Sequence, residues 1–223
     1  ALDTALYLHE KLKNKKLFIR VVNPGNVPLL EHIKSFDSPT VSVTIQYTPN
    51  DFESTIRTDY RRFGVGLVLL DKDLFDIIET KRVLKKLGRP VLRLSSEKLW
   101  EIRNILVLLT EKVAMEKISP VVFDIASQLE SGVELYDSAE NEAANENIIN
   151  HYENLARIFN SDMKVVPIQN ENPIRRINQN RHFLQVLPLN NEVCRSKTGW
   201  FLSTDSERLY FKLKHGNQLF VPA

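Results

Sequence analysis

This chain is short of cysteine and glycine, and both shortages restrict what it can do. Cys194, the one cysteine in 223 residues, cannot close an internal disulfide. With a single thiol, and no two of the five histidines (His9, His32, His151, His182, His215) at ligand spacing on one predicted helix, no structural zinc and no other metal is expected. A nucleophilic role for Cys194 beside His182 or His215 is weighed and set aside, because the residue sits in a polar, turn-like stretch and reads as an ordinary exposed or half-buried thiol. The seven glycines are scattered, so no glycine-rich phosphate loop exists and ATP or GTP hydrolysis is not expected. Gly64 and Gly66 precede an apolar run instead of following one, which fits a helix C-cap better than a dinucleotide fingerprint. No apolar run is long enough for a membrane span or a signal sequence, so the reading is a protein with no membrane contact, intracellular, in cytoplasm or nucleus. Ala1-Leu2-Asp3 lacks a starting methionine, which reads as a processed chain or a fragment.

What is present is enough apolar material, 43% of residues, to bury a core without staples in one or two domains. Charge is segregated behind a net value of +2. Residues 1–100 carry 17 Lys/Arg against 12 Asp/Glu, residues 118–156 none against 8, and residues 157–223 carry 10 against 5. Basic flanks around an acidic middle are compatible with nucleic-acid contact by the flanks.

The pattern along the first 94 residues alternates. A helix is predicted over 4–12 and an apolar strand over Lys16–Val22, stopped by Asn23-Pro24-Gly25. A short helix opens at Pro28 and ends at Asp37-Ser38-Pro39, and a strand follows over Thr40–Tyr47 with Val41, Val43 and Ile45 alternating against polar neighbours. Phe52, Ile56, Tyr60 and Phe63 line one face of the next helix. Gly64 to Leu70 forms an unbroken apolar run, read as a strand buried on both sides, and a helix over 74–87 and a strand over Pro90–Leu94 complete the series. This order calls for right-handed crossovers, hence an α/β fold with a mainly parallel sheet and flanking helices.

From residue 95 the period reads as helical: Leu99, Ile102, Leu106, Leu109 and Val113 predict an amphipathic helix of about five turns. Further helical stretches are expected over Pro120–Leu135 and around Ile148–Phe159, with an acidic, flexible segment over 137–146 between them. Short strands are expected at Lys164–Ile168, Phe183–Leu187, Trp200–Ser203, Leu209–Leu213 and Gln218–Val221. The expected sections are an α/β domain at 1–94, a helical section at 95–160 and a β-rich C-terminal section at 161–223.

The strand ending in an Asn-Pro turn, the alternating strand, the amphipathic helix and the run Tyr60-Arg61-Arg62-Phe63-Gly64-Val65-Gly66-Leu67-Val68-Leu69-Leu70-Asp71 together resemble the restriction-endonuclease-like PD-(D/E)XK superfamily over about residues 16–94. In active members a Glu-x-Lys at the end of the core strand binds a divalent metal. Those positions hold Val21 and Asn23 here, and no acidic strand is recognisable ahead of Lys16. A hard cation needs carboxylate oxygens, so the resemblance implies a nuclease-like core with a degenerate site, no catalytic residue, no metal and no cofactor.

Two basic groups are the candidate contacts for nucleic acid, with DNA favoured over RNA. Arg57, Arg61 and Arg62 share or adjoin one face of the helix before Gly64. Arg175, Arg176 and Arg181 flank Asn178 and Gln179, so guanidinium groups can take phosphates while the amides reach bases or sugars; Lys212 adds a cation on an expected strand. Trp200, Phe201, Tyr210 and Phe211 offer stacking surfaces. The expected function is non-catalytic nucleic-acid binding within a larger assembly. One rival is a protein-interaction subunit or homo-oligomer meeting its partner through the acidic middle and the amphipathic Leu99–Val113 helix. The other is a metal-dependent nuclease using Asp71, Asp73 and Asp76, whose ordinary reading, with Glu79, is caps and exposed positions beside Lys72, Lys81 and Arg82.

Overall fold

A computed structural model describes residues 2–12, 15–22, 27–46, 51–94, 101–108, 112–137, 142–167, 183–195 and 216–223. The chain divides into two compact units, Leu2–Val65 and Gly66–Ala223.

In the smaller unit the β-branched runs Leu17–Val22 (β1) and Val41–Gln46 (β2) pair in parallel, Leu17 opposite Val41 and Val22 opposite Gln46. Around them lie α1 (Leu2–Lys11), α2 (Val27–Lys34), which makes the crossover a parallel pair requires, and α3 (Phe52–Phe63). The Asp51 carboxylate accepts from the Ser54 amide at 3.3 Å to start α3. Gly64, at φ 61°, ends it by sending its N–H to the Tyr60 carbonyl, as the C-cap reading expected. Phe63 stacks on Phe18 with ring centres 4.2 Å apart.

The larger unit is built on β3 (Val68–Asp71), β4 (Val91–Leu94), β5 (Asn104–Leu108), β6 (Gly132–Asp137), β7 (Met163–Pro167), β8 (Phe183–Leu189) and β9 (Gln218–Pro222). They form a seven-stranded sheet in the order β3-β4-β9-β8-β5-β6-β7. Every pair is parallel except β4 with β9. Helices α4 (Lys72–Phe75), α5 (Ile78–Leu87), α6 (Lys112–Leu129), α7 (Glu142–Phe159) and α8 (Asn191–Arg195) complete the unit. The α/β architecture with a mostly parallel, helix-flanked sheet is therefore the one expected.

Its core is continuous apolar strand material. Ile105, Leu106 and Val107 are fully inaccessible, and Val186, Leu187, Leu219 and Phe220 are buried beside them. Met115, Ile118, Val122 and Ala126 give α6 a buried stripe at helical spacing. Pro120 lies inside that helix and removes the N–H that would reach the Glu116 carbonyl. The Ser119 hydroxyl donates to that carbonyl instead at 2.9 Å, and its oxygen also lies 2.9 Å from His151 Nε2 on α7. Tyr152 of α7 donates its hydroxyl hydrogen to the Met115 carbonyl at 3.1 Å, so α6 and α7 are tied by polar bonds as well as packing.

Several expected elements change type. The amphipathic helix expected after residue 95 is not formed at Asn104–Leu108, which is the buried strand β5. Four consecutive apolar residues fit a two-sided interior strand as well as a helix stripe, and here burial on both faces decides. The helix expected over Pro120–Leu135 ends at Leu129, and Val133–Leu135 belongs to β6. The helix expected over 74–87 is two helices, α4 and α5. The run ending at Leu70, read as buried on both sides, gives β3, whose Val68, Leu69 and Leu70 are half-buried. The strands expected at Trp200–Ser203 and Leu209–Leu213 lie outside the described residues.

The element order repeats. Taken from α6, the chain runs helix, β6, α7, β7, then β8, α8, β9; taken from α1 it runs helix, β1, α2, β2, α3, β3, α4 with α5, β4. β4 and β9 are counterparts and pair antiparallel about Leu92 and Leu219. Each has its own preceding strand, β3 or β8, parallel on its far side. The matching helices α5 and α8 pack together, with Lys85 Nζ 2.8 Å from Asn191 Oδ1.

Candidate functional site

Arg93 is the one arginine among the fully buried side chains of the described residues, and it sits on β4 at the antiparallel joint, directly opposite Gln218 of β9. A buried guanidinium demands partners. Asp76, in the turn between α4 and α5, supplies both carboxylate oxygens, taking Nε and Nη2 at 3.1 Å each. Nη1 donates to Gln218 Oε1 at 3.1 Å, and Gln218 Nε2 donates on to Gln185 Oε1 of β8 at 3.2 Å. The result is a polar relay from Asp76, whose side chain is 30% exposed, through the 0%-exposed Arg93 side chain into the interior of the sheet. Gly216 keeps the far end open, because a Cβ there would stand 2.5 Å from the Gln185 amide nitrogen. A two-bonded guanidinium–carboxylate pair of this kind fixes geometry. Both carboxylate oxygens take guanidinium N–H groups, so the pair acts as a lock.

In an open α/β sheet, ligands bind beyond the carboxyl ends of the strands, above all where strand order reverses, which in this sheet is between β5 and β8. At the end of β8 the chain passes through Asn190 into α8, and Asn190 Oδ1 accepts from the Val193 amide at 2.9 Å. At the end of β3 it passes through Asp71 into α4, and Asp71 Oδ1 accepts from the Leu74 amide at 2.9 Å. These first-turn amides are the groups that would otherwise face an anion.

Asp71 is a cap and Asp76 is half of the buried pair, which is closer to the structural reading of that group than to a metal cluster, although the partner is Arg93 and not the lysines beside it. Among the described residues no group of three His, Cys, Asp or Glu is placed to hold a metal ion. Arg57 is held by Glu53 one turn earlier, at 2.9 and 2.7 Å. Arg61 is exposed in the last turn of α3, and the Arg62 guanidinium lies over the Phe63 ring at 5.1 Å. Arg175, Arg176, Asn178, Gln179, Arg181 and Lys212, with the expected stacking aromatics Trp200, Phe201, Tyr210 and Phe211, lie outside the described residues.

Two part-buried ion pairs were missed by pattern reading. Besides Arg93–Asp76, Arg20 of β1 forks onto Asp59 of α3, with Nε 2.7 Å from Oδ2. The one available signal was a charge inside each apolar stretch: Arg20 in Leu-Phe-Ile-Arg-Val-Val and Arg93 in Val-Leu-Arg-Leu. Cys194 is buried and not exposed, its thiol 3.5 Å from the Lys81 carbonyl. Burial pushes that thiol's pKa up, against the opposing pull of Lys85, Lys81 and Arg82. Burial likewise raises the Tyr152 hydroxyl well above the usual tyrosine range. An open hollow lined by Glu153, Arg157, Asn160 and Asp162 lies where α7 leads into β7, at the amino end of that strand and away from the carboxyl-end position just described.

No family model and no curated protein matches this chain. Solved structures do. A putative universal stress protein from Pseudomonas aeruginosa UCBPP-PA14 superimposes with a TM-score of 0.53 at 13% identity, over 92% of this chain and 82% of that one. The fold is universal-stress-protein-like. A functionally unknown protein from Pseudomonas aeruginosa PAO1 gives a TM-score of 0.50 at 15% identity, with the same coverage of both chains. At these identities the likeness is one of fold.

The universal-stress-protein-like fold overturns the restriction-endonuclease-like resemblance. The strand read as a nuclease core strand, β1, pairs in parallel with β2, and the segment preceding it is helix α1. Val21 and Asn23 are thus not the remains of a Glu-x-Lys site. The expected function falls with it: neither a DNA-binding protein with a degenerate nuclease core nor a metal-dependent nuclease using Asp71, Asp73 and Asp76 is supported. No helix among the described residues is long and apolar enough to cross a membrane.

Proposed function

We propose that this chain is a universal-stress-protein-like module that works by association with another protein and does not grip a nucleotide. The observation that carries this reading is the state of the strand ends. At both places where a strand runs into a short helix on the carboxyl side, after β3 and after β8, a side chain of the chain itself, Asp71 or Asn190, accepts the first-turn amide that a phosphate would need. The Asp71 carboxylate would also repel an anion. No glycine occurs from 67 to 87 or from 133 to 198, so neither turn offers the close backbone approach that pyrophosphate requires. What the larger unit does have is a reinforced joint, in which β4 and β9 are locked by Arg93, Asp76 and Gln218. A locked joint suits a rigid interaction surface.

Calorimetric titration of the full chain with Mg·ATP, ADP and AMP tests the reading. The expected result is no saturable heat up to millimolar nucleotide. Saturable one-to-one binding with a Kd below about 100 μM, roughly −5.5 kcal/mol, would show that a phosphate site exists after all.

A further inference from the structure

The hollow where α7 leads into β7 is lined by one face of that helix. Glu153, Ala156, Arg157 and Asn160 recur there at helical spacing and, with Ser161 and Asp162, surround a space of about 370 Å³. That is the size of a small-molecule pocket. The turn beside it is held by backbone bonds. Asn160 adopts φ 50°, the Ser161 amide donates to the Ala156 carbonyl at 3.0 Å, and the Asp162 carbonyl accepts from the Val133 amide of β6 at 2.8 Å. Glu153 and Arg157 stand four residues apart, the spacing at which Glu53 and Arg57 of α3 pair at 2.7 Å. Here no pair forms. Among the described residues neither the Glu153 nor the Arg157 side chain has a hydrogen-bond or ion-pair partner, and the same holds for Asn160 and Asp162. All four are exposed. Ser161 adds a buried hydroxyl that likewise has no partner.

We propose that this hollow binds a free basic amino acid, lysine or arginine in its zwitterionic form. The wall offers one guanidinium and two carboxylates. A ligand that satisfies all three carries one carboxylate for Arg157 and two cationic groups for Glu153 and Asp162. That is the charge set of a basic amino acid: α-carboxylate, α-ammonium and side-chain cation. An acidic amino acid would bring a second anion against two carboxylates, and a neutral one would leave a carboxylate without a counter-charge. The carboxyl end of α7 adds a field that favours the ligand's cations. Asn160 and Ser161 supply uncharged donors and acceptors for the hydrogen bonds that remain. A metal ion suits the hollow less well, because Arg157 repels it and the described residues place no three His, Cys, Asp or Glu together. The site lies at the amino end of β7, so it is independent of the association proposed above and of the strand ends that Asp71 and Asn190 occupy.

NMR titration of the isotope-labelled full chain with L-lysine tests this. Saturable shifts are expected at Arg157 Nε–H, the Asn160 side-chain amide and the Ser161 backbone amide, with a Kd below about 1 mM. Glu153→Gln, Asp162→Asn and Arg157→Gln each remove one charge from an exposed position, so the chain stays folded. Each should weaken L-lysine binding at least about tenfold. Cadaverine, which is L-lysine without its carboxylate, should bind more weakly and should lose nothing on Arg157→Gln. No saturation up to about 10 mM L-lysine, shifts confined to other residues, or an affinity unchanged in any of the three variants would overturn the proposal. Equal affinity for L-leucine or L-glutamate would overturn it as well. Equal affinity for Nα-acetyl-L-lysine would overturn it in favour of the C-terminal lysine of another protein.

Discussion

At the scale of single residues, the buried charges decide most. Arg93 is enclosed and its charge is balanced by an Asp76 that still reaches water. Removing the carboxylate leaves a desolvated guanidinium with half its partners, and Asp76→Ala is expected to lower unfolding stability by about 2–3 kcal/mol, below the full range for a wholly buried pair because Asp76 is partly solvated. Adding Arg93→Met should recover most of that loss, since a methionine of similar length fills the space without a charge. Urea unfolding of the two variants checks this, and a double variant as unstable as the single one would mean that the pair contributes more than mutual compensation. Cys194 makes a pH-dependent contribution. Its thiol is held protonated by burial, so above the ordinary thiol pKa of about 8.5 the unfolded chain binds fewer protons than the folded one, and stability falls as pH rises through that window. Cys194→Ala should flatten the fall between about pH 8 and pH 10 in urea midpoints. An unchanged slope would place the titrating group elsewhere.

At the scale of elements, α4 is only four residues long and depends on what its side chains reach. Phe75, fully buried, stacks on Phe220 of β9 with ring centres 4.5 Å apart. Phe75→Leu and Phe220→Leu are expected to be non-additive, with a coupling of about 0.5–1.5 kcal/mol in a double-mutant cycle, as for other aromatic pairs; strict additivity would show that the rings are neighbours without mutual stabilisation. The elements also show what could be read from the sequence alone. The strands at Lys16–Val22, Thr40–Tyr47 and Pro90–Leu94 were legible because turn residues bound them, and Gly64 was legible as a cap because its position demands positive φ. The period misled at Ile105 to Leu108, where the same apolar spacing serves a strand buried on both faces. The Arg93 relay was invisible because its members, Asp76, Arg93, Gln185 and Gln218, are spread over 143 positions and meet only through strand order. An arginine inside an apolar tetrapeptide was the only local sign of it.

At the scale of the molecule, the two compact units differ in how they bury their strands. Gly66–Ala223 spans a seven-stranded sheet whose interior members β5 and β8 are almost wholly enclosed. Leu2–Val65 has a two-stranded sheet, with Leu17 to Arg20 half-buried, and leans on three helices and the Arg20–Asp59 pair. A two-stranded sheet is marginal by itself, and a unit of this size buries a smaller fraction of its surface than a larger one. The two units should therefore open at different free energies. Native-state hydrogen exchange is expected to show the amides bonded between β1 and β2 opening at least about 2 kcal/mol more easily than those bonded between β5 and β8. The Asp59→Asn variant should widen that gap by weakening the smaller unit, since the carboxylate it alters takes Arg20 on β1. Equal opening energies in both units, moving together when Asp59 is changed, would mean that the chain unfolds as one cooperative body, so that the stability of the β1–β2 pair is set by the seven-stranded sheet and not by its own contacts.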